Sequence, residues 1–150
     1  MLPGLLKMSS QPQRALSRTE DLGINKVTQT IIGAAMRVHT ALGPGLLESA
    51  YETCLVHELH KAGLAVQAQV ALPIEYDGVK LDAGYRIDLL VQDLVIVELK
   101  CVECFTDVHM AQLLSYLKLS KKNVGLLLNF HVKHLKSGIK RVVTGAGWEK

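Results

Sequence analysis

Residues 84–100 read GYRIDLLVQDLVIVELK, and this stretch decides the fold. Two apolar runs, 84–91 and 94–100, are joined around Gln92-Asp93 and have the length and composition of strands. Alternation along the first places Arg86 and Asp88 on one face and Ile87, Leu89 and Val91 on the other. In the second, Glu98 and Lys100 share a face opposite Val97 and Leu99. Two acids and a lysine thus sit in otherwise apolar strands, where ionised groups are costly unless paired or bound to a metal. A surface face with cross-strand ion pairs would show the same residues.

Register constrains the pair further. A two-residue turn at Gln92-Asp93 pairs Val91 with Leu94, opposes Asp88 to Val97 and turns Glu98 to the wrong side. Carboxylates that share one site need Asp88 opposite Glu98. A three-residue connection, 92–94, or a bulge is therefore expected.

Helical spacing returns at 107–120, with Met110, Leu113, Leu114 and Leu117 on an apolar stripe and His109, Gln112 and Tyr116 on a polar one. The run 124–130 reads as a central strand buried on both faces, and 139–143 as a weak final strand. Upstream, 26–42 is helical through Val27, Ile31, Ala34, Ala35 and Val38, and Gly43-Pro44-Gly45 stops it. A second helix, 46–61, carries Leu47, Tyr51, Cys54, Leu55 and Leu59 on one stripe, with Gly63 at its end. The segments 66–74 and 75–80 read as extended, with Asp77-Gly78 as a hairpin signal. The order is α–α–β–β–β–α–β, a mixed α/β sheet flanked by helices.

The 150 residues suit one domain, expected over 26–150, preceded by a flexible tail over 1–25. Hydrophobic residues at 49% and charged residues at 21% are ordinary for a globular chain, and no apolar run approaches a membrane span. Cys54, Cys101 and Cys104 are an odd count without a secretion signal, which points to the cytoplasm. Cys101 and Cys104 have no second half of a zinc site. Residues 1–107 hold nine Lys/Arg against thirteen Asp/Glu, whereas 108–148 hold seven Lys/Arg and no acid. Such a division suits a polyanion partner, with Lys121 and Lys122 among the candidate contacts, or merely a solvated basic face.

Asp88 followed by Glu98-Leu99-Lys100 resembles the D…(D/E)XK signature of the PD-(D/E)XK nuclease superfamily. Gly45-Leu46-Leu47-Glu48-Ser49-Ala50-Tyr51 resembles the motif of the small prokaryotic GxxExxY family within it. Arg37-Val38-His39, Gln112-Leu113-Leu114-Ser115-Tyr116 and Gly125-Leu126-Leu127-Leu128-Asn129-Phe130 are similar to that family too. One departure is Cys101, where the family usually has alanine. The resemblance implies a restriction-endonuclease-like αβββαβ core and hydrolysis of phosphodiester bonds in DNA or RNA. By matching position it implies Asp88, Glu98 and the Leu99 carbonyl as ligands of Mg²⁺, with Mn²⁺ as substitute, and Glu48 as a further metal-shell acid or the acceptor for a coordinated water. Lys100 would stabilise developing charge and Gln112 would orient water or phosphate. Arg86 and Tyr116 are further substrate-binding candidates, although Arg86 could instead pair with Asp88 and Tyr116 could be a core aromatic. At this length, sequence-specific cleavage would call for a homodimer or a partner protein. The rival class is a catalytically silent binding module that keeps the fold; a phosphoesterase acting on small molecules is remoter.

Overall fold

The computed structural model describes residues 18–145. The chain runs α1 (Arg18–Leu42), α2 (Glu48–Lys61), β1 (Val66–Ala71), β2 (Ile74–Tyr76), β3 (Val79–Leu81), β4 (Arg86–Val91), β5 (Val95–Lys100), α3 (Asp107–Ser120), β6 (Val124–Asn129), a 3₁₀ turn (Leu135–Gly138) and β7 (Ile139–Val143). Five strands form one mixed sheet in the order β1-β4-β5-β6-β7, parallel only between β5 and β6, where α3 makes the crossover. This is the restriction-endonuclease-like α/β architecture expected.

α1 begins at Arg18, so residues 18–25, expected in the tail, are helical. The reason is a buried stripe that starts earlier than the sequence pattern suggested: Ile24, Thr28, Ile31, Ala35 and Val38 recur at spacings of three and four. The remainder of the expected tail lies outside the described residues. Gly43, at φ 69°, ends α1 with its N–H on the His39 carbonyl, a left-handed cap that favours glycine. α2 buries Tyr51, Leu55 and Leu59, but Leu47, expected on that stripe, is the N-cap and is 78% exposed.

α1 and α2 cover one face of the sheet, packing on Leu89, Val91, Val97, Leu99, Leu126 and Leu128. α3 covers the other, with Leu113, Tyr116 and Leu117 against Ile87, Leu90, Ile96 and Leu127. β6 lies between both layers and is buried at every residue, as its unbroken apolar run implies. A Cβ at Gly125 would stand 2.7 Å from Leu113 Cδ1, so the glycine lets α3 approach β6 closely. The expected long strand 66–74 ends instead at Ala71, before Pro73, and pairs with β4. Asp77-Gly78 closes a separate β2–β3 hairpin. No helix among the described residues is long and apolar enough to cross a membrane.

Candidate active site

β4 and β5 are joined by Gln92, Asp93 and Leu94, with Val91 opposite Val95 and Leu89 opposite Val97. The three-residue connection is the one that the paired carboxylates require, and Gln92 and Asp93 turn it at positive φ (56° and 54°). Continued by one step, this register faces Asp88 towards Glu98, but the ladder stops there. The Asp88 N–H donates to Glu98 Oε2 at 2.8 Å, and the Leu99 N–H donates to Asp88 Oδ2 at 2.9 Å. Beyond the last ladder pair, the two carboxylates thus accept from strand N–H groups and bridge β4 to β5.

On its other edge, β4 pairs with β1 through Ala68–Leu89 and Val70–Ile87, passing over Gln69 and Asp88. Gln69 takes positive φ (55°), and its Nε2 donates to Glu52 Oε1 at 2.7 Å, with Asp88 Oδ1 at 3.5 Å. Both ladders therefore break at Asp88. Side-chain alternation breaks with them. Leu89 and Val91 pack under α1 and α2, whereas Ile87 packs on the α3 side, correcting the expectation that all three share a face.

Glu98 and Lys100 project towards α3, the side on which Ile96 packs. Lys100 Nζ donates to Gln112 Oε1 at 2.9 Å, and Gln112 Nε2 donates to the Tyr116 hydroxyl at 3.2 Å. Glu48, the first residue of α2, approaches from the opposite helical layer. Tyr51 fixes that approach: its hydroxyl donates to the Gly43 carbonyl, accepts from the Leu46 N–H at 3.1 Å, and its ring stacks on Phe130 at 4.5 Å. Thus the tyrosine of the Gly45…Glu48…Tyr51 motif holds the loop that presents Glu48.

Burial and mutual repulsion mark the centre electrostatically. Glu98 is 2% exposed, and burial, followed by the charge of Asp88, pushes its carboxyl up to about 8. Asp88 is raised by burial, opposed by the Leu99 N–H and by Lys100. Glu48 and Glu52 are raised by partial desolvation, and Asp88 adds to both shifts. Burial and Glu98 push the Tyr116 hydroxyl up to about 12. Four acids acting on one another around one lysine are short of positive charge.

Among the described residues, no group of three or more His, Cys, Asp or Glu side chains is arranged to hold a metal ion. One oxygen each of Asp88 and Glu98 is engaged by a backbone N–H. The remaining donors are hard carboxylate oxygens, and Mg²⁺ needs only one or two protein carboxylates because it keeps several waters. The donor chemistry thus fits a hard divalent cation.

Other candidates fall elsewhere. Arg86 is exposed and donates to the Tyr85 carbonyl at 3.3 Å instead of pairing with Asp88. Lys121 is the left-handed C-cap of α3, and Lys122 pairs with Asp93 at 3.1 Å in the β4–β5 turn. That is the far end of β5, on the order of 16 Å from Lys100 at about 3.3 Å per residue. His109 accepts the Thr106 N–H at 3.0 Å and caps α3. Glu52, Gln69 and Asn129 escaped the sequence reading. Glu52 lies one turn beyond Glu48, a spacing that could have found it. Asn129, 2% exposed, bonds both N–H and carbonyl of Val102 and so ties the end of β6 to the chain after β5.

An acid pair and a lysine thus stand where the β4–β5 ladder ends, between α2 on one side of a mixed α/β sheet and α3 on the other. The PD-(D/E)XK nuclease superfamily profile matches residues 25–142, and the chain belongs to that superfamily. No curated protein and no solved structure matches it.

Proposed function

We propose that the protein is a metal-dependent nuclease of the GxxExxY type, hydrolysing phosphodiester bonds in nucleic acid. The observation that carries this reading is the convergence of Asp88, Glu98 and Lys100 where the β4–β5 ladder stops and the β1–β4 ladder skips one pair. Asp88 and Glu98, with the Leu99 carbonyl and Glu48 nearby, would hold Mg²⁺, for which Mn²⁺ would substitute. When bound, the cation supplies positive charge against the phosphate and acidifies water.

The chain's own groups do the rest. Lys100, its ammonium steadied by Gln112, stabilises the negative charge that grows on the phosphoryl oxygens as water adds to phosphorus. Gln112 keeps that ammonium in place before the substrate arrives, so little reorganisation is needed. Glu48 accepts a hydrogen bond from the attacking water, whose proton passes to solvent as the new P–O bond forms. The P–O ester bond breaks, and the leaving oxygen takes a proton from solvent.

Exposed Lys133, His134 and Lys136 lead the polyanion in. They line a cleft of about 580 Å³ with Gly43 and Pro44, on the loop that presents Glu48. Recognition of a defined sequence would take a second copy or a partner protein. Free thiols at Cys54, Cys101 and Cys104 suit a reducing compartment such as the cytoplasm.

The backbone bonds made by Asp88 and Glu98 favour a second reading, a binding module that keeps the fold without cleaving. Cleavage of single-stranded, duplex and branched DNA and RNA with Mg²⁺ or Mn²⁺, with Lys100→Ala as control, separates the two. Strand scission lost in Lys100→Ala supports the nuclease. Binding without scission supports the module.

A further inference from the structure

A cleft of about 400 Å³ opens beside the candidate centre, between α3 and the start of β4. Its walls are Tyr85 and Tyr116, with Ile74 and Leu119 as apolar floor and Gln112 and Ser115 as polar edge. The two rings meet edge-on, centroids 6.4 Å apart and planes at 65°, and Tyr85 is 44% exposed. Tyr116 is 5% exposed, so Tyr85 supplies the free ring face; with the apolar lining and few polar groups, that face can take a flat heterocycle.

Gln112 belongs to both places. Its Oε1 faces Lys100 and its Nε2 faces Tyr116, so one residue separates the ammonium from the aromatic wall. The cleft is thus continuous with the centre through Gln112, within the reach of a base that adjoins a phosphate held at Lys100. We infer that the Tyr85–Tyr116 cleft receives an unpaired nucleobase adjoining the scissile phosphate, so the protein acts on single-stranded, flapped or base-flipped substrates in preference to intact duplex. The inference rests on the nuclease reading above.

Stacking is sequence-tolerant because every base has a π-face, which makes the cleft a sensor of strandedness instead of sequence. Ser115 and Gln112 offer hydrogen bonds to the base edge without demanding one base.

The test is equilibrium binding, without divalent ion, of a short single strand carrying 2-aminopurine or an abasic residue at successive positions. With wild type, one position should show 2-aminopurine quenching, and an abasic residue there should weaken binding by about 5- to 150-fold, the range of one base–aromatic stack. Tyr85→Ala should cause a similar loss on the intact strand and none on that abasic strand, while Tyr85→Trp keeps affinity. Equal affinity for intact and abasic strands, or equal loss from Tyr85→Ala on both, overturns the cleft's role. Cleavage that persists in that case leaves the nuclease reading standing. A wild type that neither binds nor cleaves any strand defeats both.

Discussion

Asp88 and Glu98 each hold the other's strand. The Glu98 carboxylate takes the Asp88 N–H, and the Asp88 carboxylate takes the Leu99 N–H, at 2.8 and 2.9 Å. The side chains that carry the proposed chemistry are also what keeps β4 and β5 together where their ladder ends. Amide or acid at these positions preserves an acceptor oxygen; alanine leaves buried N–H groups unpaired, at about 1–3 kcal/mol each.

Asp88→Asn with Glu98→Gln should therefore abolish Mn²⁺ binding and leave the fold intact. Calorimetry and circular dichroism on the same preparations check this. Equal Mn²⁺ affinity in wild type and double variant would refute the metal assignment.

Without divalent ion, stability should fall as pH rises. Glu98 titrates near 8 in the folded chain and near 4.5 when unfolded. The folded state thus holds a proton that the unfolded state has released between these values, so its stabilisation is complete below about pH 4.5 and lost through about pH 8. Asp88, Glu48 and Glu52 shift in the same direction. Glu98→Gln should flatten the slope and raise the melting temperature at pH 8. An unchanged slope would show that Glu98 is ionised in the native protein throughout.

Lys100→Ala should lower kcat by about 10²–10³-fold, as loss of one preorganised group facing transition-state charge does. Gln112→Ala, which releases the ammonium and the Tyr116 hydroxyl but leaves the lysine charge in place, should lower kcat less. Single-turnover rates on one substrate decide the order, and a larger loss for Gln112→Ala would reverse the assigned roles.

Lys133→Ala with Lys136→Ala should flatten the log–log salt dependence of duplex binding by about 0.9 for each phosphate that these lysines neutralise. Lys121→Ala with Lys122→Ala should leave the slope as it is, since this pair stands at the other end of β5 beside Asp93. Titrations at several salt concentrations discriminate between the two basic regions.

Tyr51→Phe keeps the stack on Phe130 and deletes the bonds to the Gly43 carbonyl and the Leu46 N–H. It should cost about 1–2 kcal/mol in denaturant unfolding and lower cleavage by loosening the loop before Glu48. Wild-type stability with wild-type rate would remove Tyr51 from the positioning of Glu48.

Local rules made the elements and much of the centre legible in the sequence. Period-two and helical patterning separated strands from helices, and a buried β6 followed from its unbroken apolar run. The need to face two carboxylates led to the three-residue turn at 92–94. Asp88, Glu98 and Lys100 lie within thirteen residues on adjoining strands, so the register of one turn brings them near each other. Contacts remote in sequence were decided only by tertiary structure. The bridge from Gln69 to Glu52 and Asp88 depends on a left-handed kink in β1 that no local pattern announces. The switch of Ile87 to the α3 side follows from the break at Asp88, where carboxylates displace the ladder. Tyr85 joins Tyr116 because the sheet lays the start of β4 beside α3, thirty-one residues later. Charge counts placed the basic residues in one half of the chain, but the parallel step from β5 to β6 sends Lys121 and Lys122 to one end of the sheet and Lys133 and Lys136 to the cleft beside Gly43 and Pro44. Alternation fixes which side of a strand a residue takes; chain crossings decide which residues meet there.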